Sequence, residues 1–204
     1  MTSMLKNLSI QIETCTNCPL HTVRKNYVPD KIPISPKIII LNFIPCSQES
    51  WEGKSFVGSN AEIIKNIIIG LGFTDKLNID DDIAYLHLIK CPSVVGYEDY
   101  PSYFTECYFY IKEQLEQLKS KHIIVLGKET LRYLMGQVNY SNAEKAVFEF
   151  PSDKDFNKAV NKIVPVKLID YDGNIYKTTI YSTCLPEEKE FVHDFAKILE
   201  HIYG

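Results

Sequence analysis

Arginine is nearly absent from this chain of 204 residues: only Arg24 and Arg132 occur. With a net charge of -4, the shortage is a poor footprint for a strong nucleic-acid binder, which usually presents a basic face. Overall charge does not describe local patches, so it does not by itself exclude such binding. No stretch reaches the ~18 unbroken apolar residues of a membrane span, and no membrane partner is expected. The first residues, Met1 to Leu8, lack the apolar core of a signal peptide. A cytoplasmic, reducing location is therefore expected, where six cysteines argue against a disulfide framework. No internal repeat or low-complexity linker interrupts the chain. Its hydrophobic content of 45% and charged content of 24% are ordinary for a globular protein. The length suits one domain over 1–204 with ample apolar core, and the polar stretch 137–162 reads as an excursion from it.

What is present is an alternation of strands and helices. Lys37 to Phe43 is a short continuous apolar run, as expected of a strand buried on both faces. Ile83 to Lys90 and His122 to Gly127 read as further strands. Ser59 to Leu71 carries apolar residues at helical spacing, with Ser59 or Asn60 as candidate cap. Ser102 to Leu118, Glu129 to Met135 and Glu187 to Ile202 read as helices. Ile163 to Ile169 and Ile175 to Tyr181 flank Asp172-Gly173, a hairpin turn signal. The pattern predicts an α/β fold, a three-layer α/β/α sandwich around a mainly parallel sheet. Ligands in such sheets bind at the carboxyl ends of the strands. That directs attention to the loops 42–58, 87–91 and 181–186.

Four cysteines carry the clearest chemistry. Cys15 and Cys18 form a C-x-x-C followed by Pro19, and Cys91 and Cys107 lie far along the chain. Two close thiolates plus two distant ones can hold either a tetrahedral metal such as zinc or a cubane iron–sulfur cluster. Cys46 and Cys184 read as small apolar filler, the usual fate of a free cysteine.

The loops carry longer motifs. Cys15-Thr-Asn-Cys18-Pro19-Leu20-His21 is followed by Arg24. Asn42 to Gly58 keeps Pro45, Glu49, Gly53, Phe56, Val57 and Gly58 of the pattern G-E-A-P-G-x-x-E-D-x-x-G-x-P-F-V-G. Leu86-His87-Leu88-Ile89-Lys90-Cys91 lines up with T-N-V-V-K-C, and Val125-Leu126-Gly127 ends a strand as V-x-L-G does. In these motifs the chain resembles the family-four uracil-DNA glycosylases. The resemblance implies their fold, a [4Fe–4S] cluster on Cys15, Cys18, Cys91 and Cys107, DNA as partner, and a place in base-excision repair.

The departures are at the chemistry. The family's water-positioning glutamate falls on Phe43, its base-reading asparagine on His87, and its leaving-group histidine on Ser182. N-glycosidic cleavage needs a base extruded into an aromatic pocket, a donor for the departing anion and an oriented water. Phe56 and Pro45 are the candidate base-binding residues. Asn42 would hold the water, Glu49 would act on it, and His87 would donate to the base. Ser182 would bind a phosphate or cap the last helix. Phe56 and His87 are expected to share a cavity. Two functions follow: an N-glycosylase with weakened or altered base specificity, or a catalytically inactive DNA-binding or replication accessory protein working with repair or replication partners.

Overall fold

The computed structural model describes residues 3–92, 100–135, 148–149, 163–169 and 175–204. Six strands form one sheet: β1 (Ile38–Asn42), β2 (Ile83–His87), β3 (His122–Leu126), β4 (Phe148–Glu149), β5 (Ile163–Ile169) and β6 (Ile175–Thr183). The strand order is β2-β1-β3-β6-β5-β4. The first three neighbouring pairs are parallel, and β6-β5 and β5-β4 are antiparallel. The expected mainly parallel sheet is therefore present. The Asp172-Gly173 turn lies outside the described residues, but Ile169 pairs with Ile175 across it, the register of a hairpin. Of the stretch 137–162, only the edge strand β4 is described.

The period-two pattern of the parallel strands sorts their apolar residues into two layers. Ile39, Leu41, Ala84, Leu86, Ile123 and Val125 face helices α5 (Tyr100–Leu118) and α6 (Lys128–Leu134). Ile38, Ile40, Ile83, Tyr85, Ile124 and Leu126 face α4 (Ser59–Gly70) and α7 (Phe191–Tyr203). These are the two sides of the predicted sandwich. No described helix is long and apolar enough to cross a membrane.

Three short elements were not expected. Helix α1 (Ser3–Glu13) buries Leu5, Leu8 and Ile12, and packs Leu8 and Ile12 on Tyr110 of α5. Its i, i+3, i+7 spacing was available as a signal. Helix α2 (Leu20–Val23) follows the C-x-x-C-P, and α3 (Ser47–Glu52) occupies the middle of what reads as a loop. Two caps also differ. Gly58, not Ser59 or Asn60, precedes α4 without a side-chain cap. The last helix starts at Phe191 after Glu190, so Ser182, inside β6, caps nothing there.

Beyond β1 the chain passes through α3 and returns to α4. Segment 30–31 runs antiparallel along β2, where Lys31 and Tyr85 exchange both backbone hydrogen bonds. This covers part of the edge strand and brings Asp30 beside His87.

Candidate functional site

Helix α3 is set by a capping box. The Cys46 sulfur accepts from the Glu49 N–H at 3.5 Å, and the Cys46 N–H donates to Glu49 Oε2 at 2.8 Å. Cys46 thus caps a helix rather than serving as filler. Gly53 ends the helix in the left-handed region at φ 61°, which a side chain would oppose. The chain then reaches Phe56, a non-glycine residue at φ 60°. That conformation is strained for a bulky residue. It is held by the Phe56 N–H, which donates to Glu49 Oε1 at 2.8 Å.

Glu49 is therefore not a solvated loop residue. Its side chain is 2% exposed and also meets His87, whose Nε2 lies 3.1 Å from Oε2. His87 is fully buried at the end of β2, and its Nδ1 lies 3.3 Å from Asp30 Oδ1. The His87 backbone N–H donates to the same Asp30 oxygen at 3.0 Å. Lys90 Nζ donates to Asp30 Oδ2 at 2.7 Å and to Gln114 Oε1 at 2.6 Å, and Gln114 Nε2 donates back to Asp30 at 2.8 Å. Two carboxylates, an imidazole and an ammonium thus form one buried network.

Their charges set one another. Burial pushes His87 towards the neutral form, but the hydrogen bonds and charges of Asp30 and Glu49 outweigh it and raise its pKa. Burial pushes Asp30 up, but the Lys90 charge and the His87 hydrogen bond hold it well below the usual carboxylate range. Glu49 is lowered in the same way, against its burial, by His87 and by the Cys46 and Phe56 N–H groups. The two carboxylates thus favour the charged form of His87, and His87 favours theirs. Buried charges persist only when paired in this manner.

Phe56 and His87 lie on the same side of the sheet and flank Tyr85. The Phe56 ring is 4.8 Å from Tyr85, and His87 meets the Tyr85 edge at 5.2 Å. Phe56 is 3% exposed. Two described cavities, of about 530 and 370 Å³, lie elsewhere, and neither is lined by Phe56 or His87. Stacking a base on Phe56 requires the neighbouring chain to move. Asn42 is opposite His87 in the β1–β2 register and donates to the Tyr85 hydroxyl at 3.1 Å. Pro45 is buried before α3. Phe43 faces the other side of the sheet, packed on Tyr133 at 4.9 Å. Ser182 is buried in β6 opposite Val125. Asn42, Glu49, Phe56 and His87 are thus one neighbourhood around Tyr85, and Asp30, Lys90 and Gln114 complete it. Asp30 and Gln114 carried no sequence signal; Lys90 stood inside a quoted motif.

The four cysteines come from three places: the segment after α1, the loop after β2, and α5. Each thiol is within electrostatic reach of at least two of the others. Among the described residues no three Cys, His, Asp or Glu side chains converge closely enough to grip a single ion. The donor set is all sulfur, which suits a soft metal centre. Burial pushes the Cys107 thiol up to about 12 and also raises Cys91 and Cys18. Arg24 Nη1 donates to Cys91 Sγ at 3.6 Å, the one side-chain cation that touches a thiol among the described contacts. The Lys90 backbone hydrogen-bonds Cys107, so the lysine that pairs Asp30 also adjoins this group.

Comparison with known proteins agrees with this architecture. The chain is 27% identical over 195 residues to a Type-4 uracil-DNA glycosylase of Saccharolobus solfataricus, covering 93% of this chain and 79% of that protein. It is 28% identical over 131 residues to the Type-4 uracil-DNA glycosylase of Pyrobaculum aerophilum, covering 64% of each. With that of Archaeoglobus fulgidus it shares 23% over 130 residues, covering 64% of this chain and 63% of the relative. Two of these three matches therefore span less than two thirds of the relative. The model of the uracil DNA glycosylase superfamily matches residues 29–197, which takes in the whole sheet and both helical layers. By that match and by its fold, the chain belongs to the uracil DNA glycosylase superfamily.

Proposed function

We propose that this protein is a DNA-binding iron–sulfur member of its superfamily. In base-excision repair it acts as an N-glycosylase whose preference for uracil is weakened or altered. The observation that carries this reading is the state of His87. Both ring nitrogens are taken by buried carboxylates at the position aligned with the family's base-reading asparagine. An imidazolium does not present the donor and acceptor pair of an amide. In this reading Phe56 and Pro45 line the base site, and Asn42 holds the attacking water. Glu49 takes its proton, and Ser182 contacts a phosphate. His87 donates to the departing base once it releases Glu49.

Cys15, Cys18, Cys91 and Cys107 are the residues that would hold a [4Fe–4S] cluster, with zinc as the other occupant of an all-sulfur site. Hydrolysis of an N-glycosidic bond transfers no electrons, so the cluster has a structural role. It ties the segment after α1 to the loop after β2 and to α5. The compartment is cytoplasmic and reducing.

The closed ion network and the covered Phe56 ring favour a second reading: an inactive DNA-binding accessory protein in replication or repair. One experiment separates the two. Anaerobically purified protein is incubated with oligonucleotides carrying uracil or other altered bases, then treated with alkali, with DNA binding measured alongside at low salt. Cleavage at a base other than uracil supports the glycosylase. Binding without cleavage supports the accessory protein. Robust uracil release, abolished by Phe56→Ala, overturns the altered specificity.

A further inference from the structure

The only tryptophan of the chain, Trp51, is 68% exposed on α3. An aromatic ring left in solvent keeps a face free on which a planar partner can stack. The backbone that carries this ring is anchored. The Asn26 amide donates to the Ser50 and Trp51 carbonyls at 2.9 and 3.1 Å, tying the end of α3 to the segment after α2. A β-carbon on Gly53 would lie 3.5 Å from the Tyr27 carbonyl, so the two segments pack directly there. The Lys25 ammonium sits over one face of the indole. Lys54, three residues beyond the ring, is exposed as well. The nearby Glu52 carboxylate is engaged by Gln48 at 2.9 Å.

An exposed aromatic ring with one ammonium on its face and a second exposed lysine three residues on has the chemistry of a single-stranded nucleic-acid contact: a base stacks on the ring while the cations meet its phosphates. We propose that Trp51, with Lys25 and Lys54, is a stacking platform for an unpaired nucleotide of DNA. The inference rests on the DNA-binding reading above and adds a contact to it. Trp51 lies on the connection from β1 to Phe56, so the platform adjoins the Phe56 loop along the chain. It also gives the protein a preference for unpaired over fully paired DNA, since a paired base does not expose its face.

The test uses the complete, cluster-loaded protein and two oligonucleotides of equal length, one of thymidines and one of abasic sites. Because Trp51 is the sole tryptophan, its emission reports on this site alone. Thymidine oligonucleotide should quench that emission and bind more tightly than the abasic one. Trp51→Ala should weaken thymidine binding roughly 5- to 100-fold, and Trp51→Phe much less. Lys25→Ala and Lys54→Ala should reduce affinity for both oligonucleotides and flatten the salt dependence. Binding with unchanged emission and an unchanged affinity for Trp51→Ala would overturn the platform while leaving DNA binding intact. Equal affinity for the abasic oligonucleotide would do the same. Failure to bind any DNA would overturn both readings.

Discussion

Glu49 Oε2 lies 3.1 Å from His87 Nε2, and the two side chains are 2% and 0% exposed. The same carboxylate accepts the N–H groups of Cys46 and Phe56. One glutamate thus joins β2 to the start of α3 and to the strained residue at 56. Removing the imidazole would take from buried Glu49 its ion-pair partner and leave Asp30 with Lys90 alone. His87→Ala is therefore expected to cost about 3–5 kcal/mol, measured by urea unfolding. Glu49→Gln keeps an acceptor and should cost about 1–3 kcal/mol.

The network also predicts a pH window. Asp30 and Glu49 are held below their ordinary values of 3.8 and 4.5. Their contribution is full above pH 4.5 and disappears as pH falls through the depressed values. His87 is held above its ordinary 6.5, so its contribution is full below that pH and disappears as pH rises through the raised value. The groups facing it are Asp30, Glu49 and Tyr85, with Lys90 behind Asp30. Between pH 4.5 and 6.5 the network contributes most, and stability declines on either side. Urea midpoints across pH should show this maximum, which Glu49→Gln flattens. Imidazole resonances of His87 should show a cation at pH 7.

A cluster held by the four cysteines, as proposed, would be coupled to the fold. Cys91 and Cys107 belong to the apolar layer beneath α5, and metal binding by such residues is coupled to folding. Anaerobic protein is expected to be brown with about four irons per chain. Cys91→Ala or Cys107→Ala, or chelation after oxidation, should lower the melting temperature by on the order of 10 °C. One zinc and no iron after iron-sufficient anaerobic expression would decide for zinc.

Phe43 bears on any attempt to restore the family's chemistry. Its ring packs on Tyr133 and is 7% exposed. Phe43→Glu alone exchanges that packing for a buried carboxylate and should cost about 3–5 kcal/mol with no gain in uracil release. Combined with His87→Asn and Ser182→His, it should raise uracil release on the order of 10²-fold, scored by alkali cleavage at low temperature.

Much of the scaffold was legible in order along the chain. The apolar run at 38–41 announced a strand buried on both faces, and the spacing of 64, 67 and 68 announced the helix that covers one of them. The four cysteines and the Phe-Val-Gly loop stood in plain register. The spacing of Leu5, Leu8 and Ile12 is itself a helical signal for α1. Glu49 was harder. Its capping box uses a cysteine sulfur in place of the usual hydroxyl, so neither the helix nor the burial of the carboxylate was expected.

Sequence alone determined the layers, because they follow from local periodicity, and residue type alone singled out the four cysteines. Only the tertiary structure decided that His87 sits between two buried carboxylates rather than serving as a free donor. Its partners Asp30 and Glu49 lie 57 and 38 residues away and reach it through the edge segment beside β2 and through α3. Pairing over such separations depends on which loop the fold lays against a strand end. A histidine read along its own strand carries no record of the carboxylates that fix its charge.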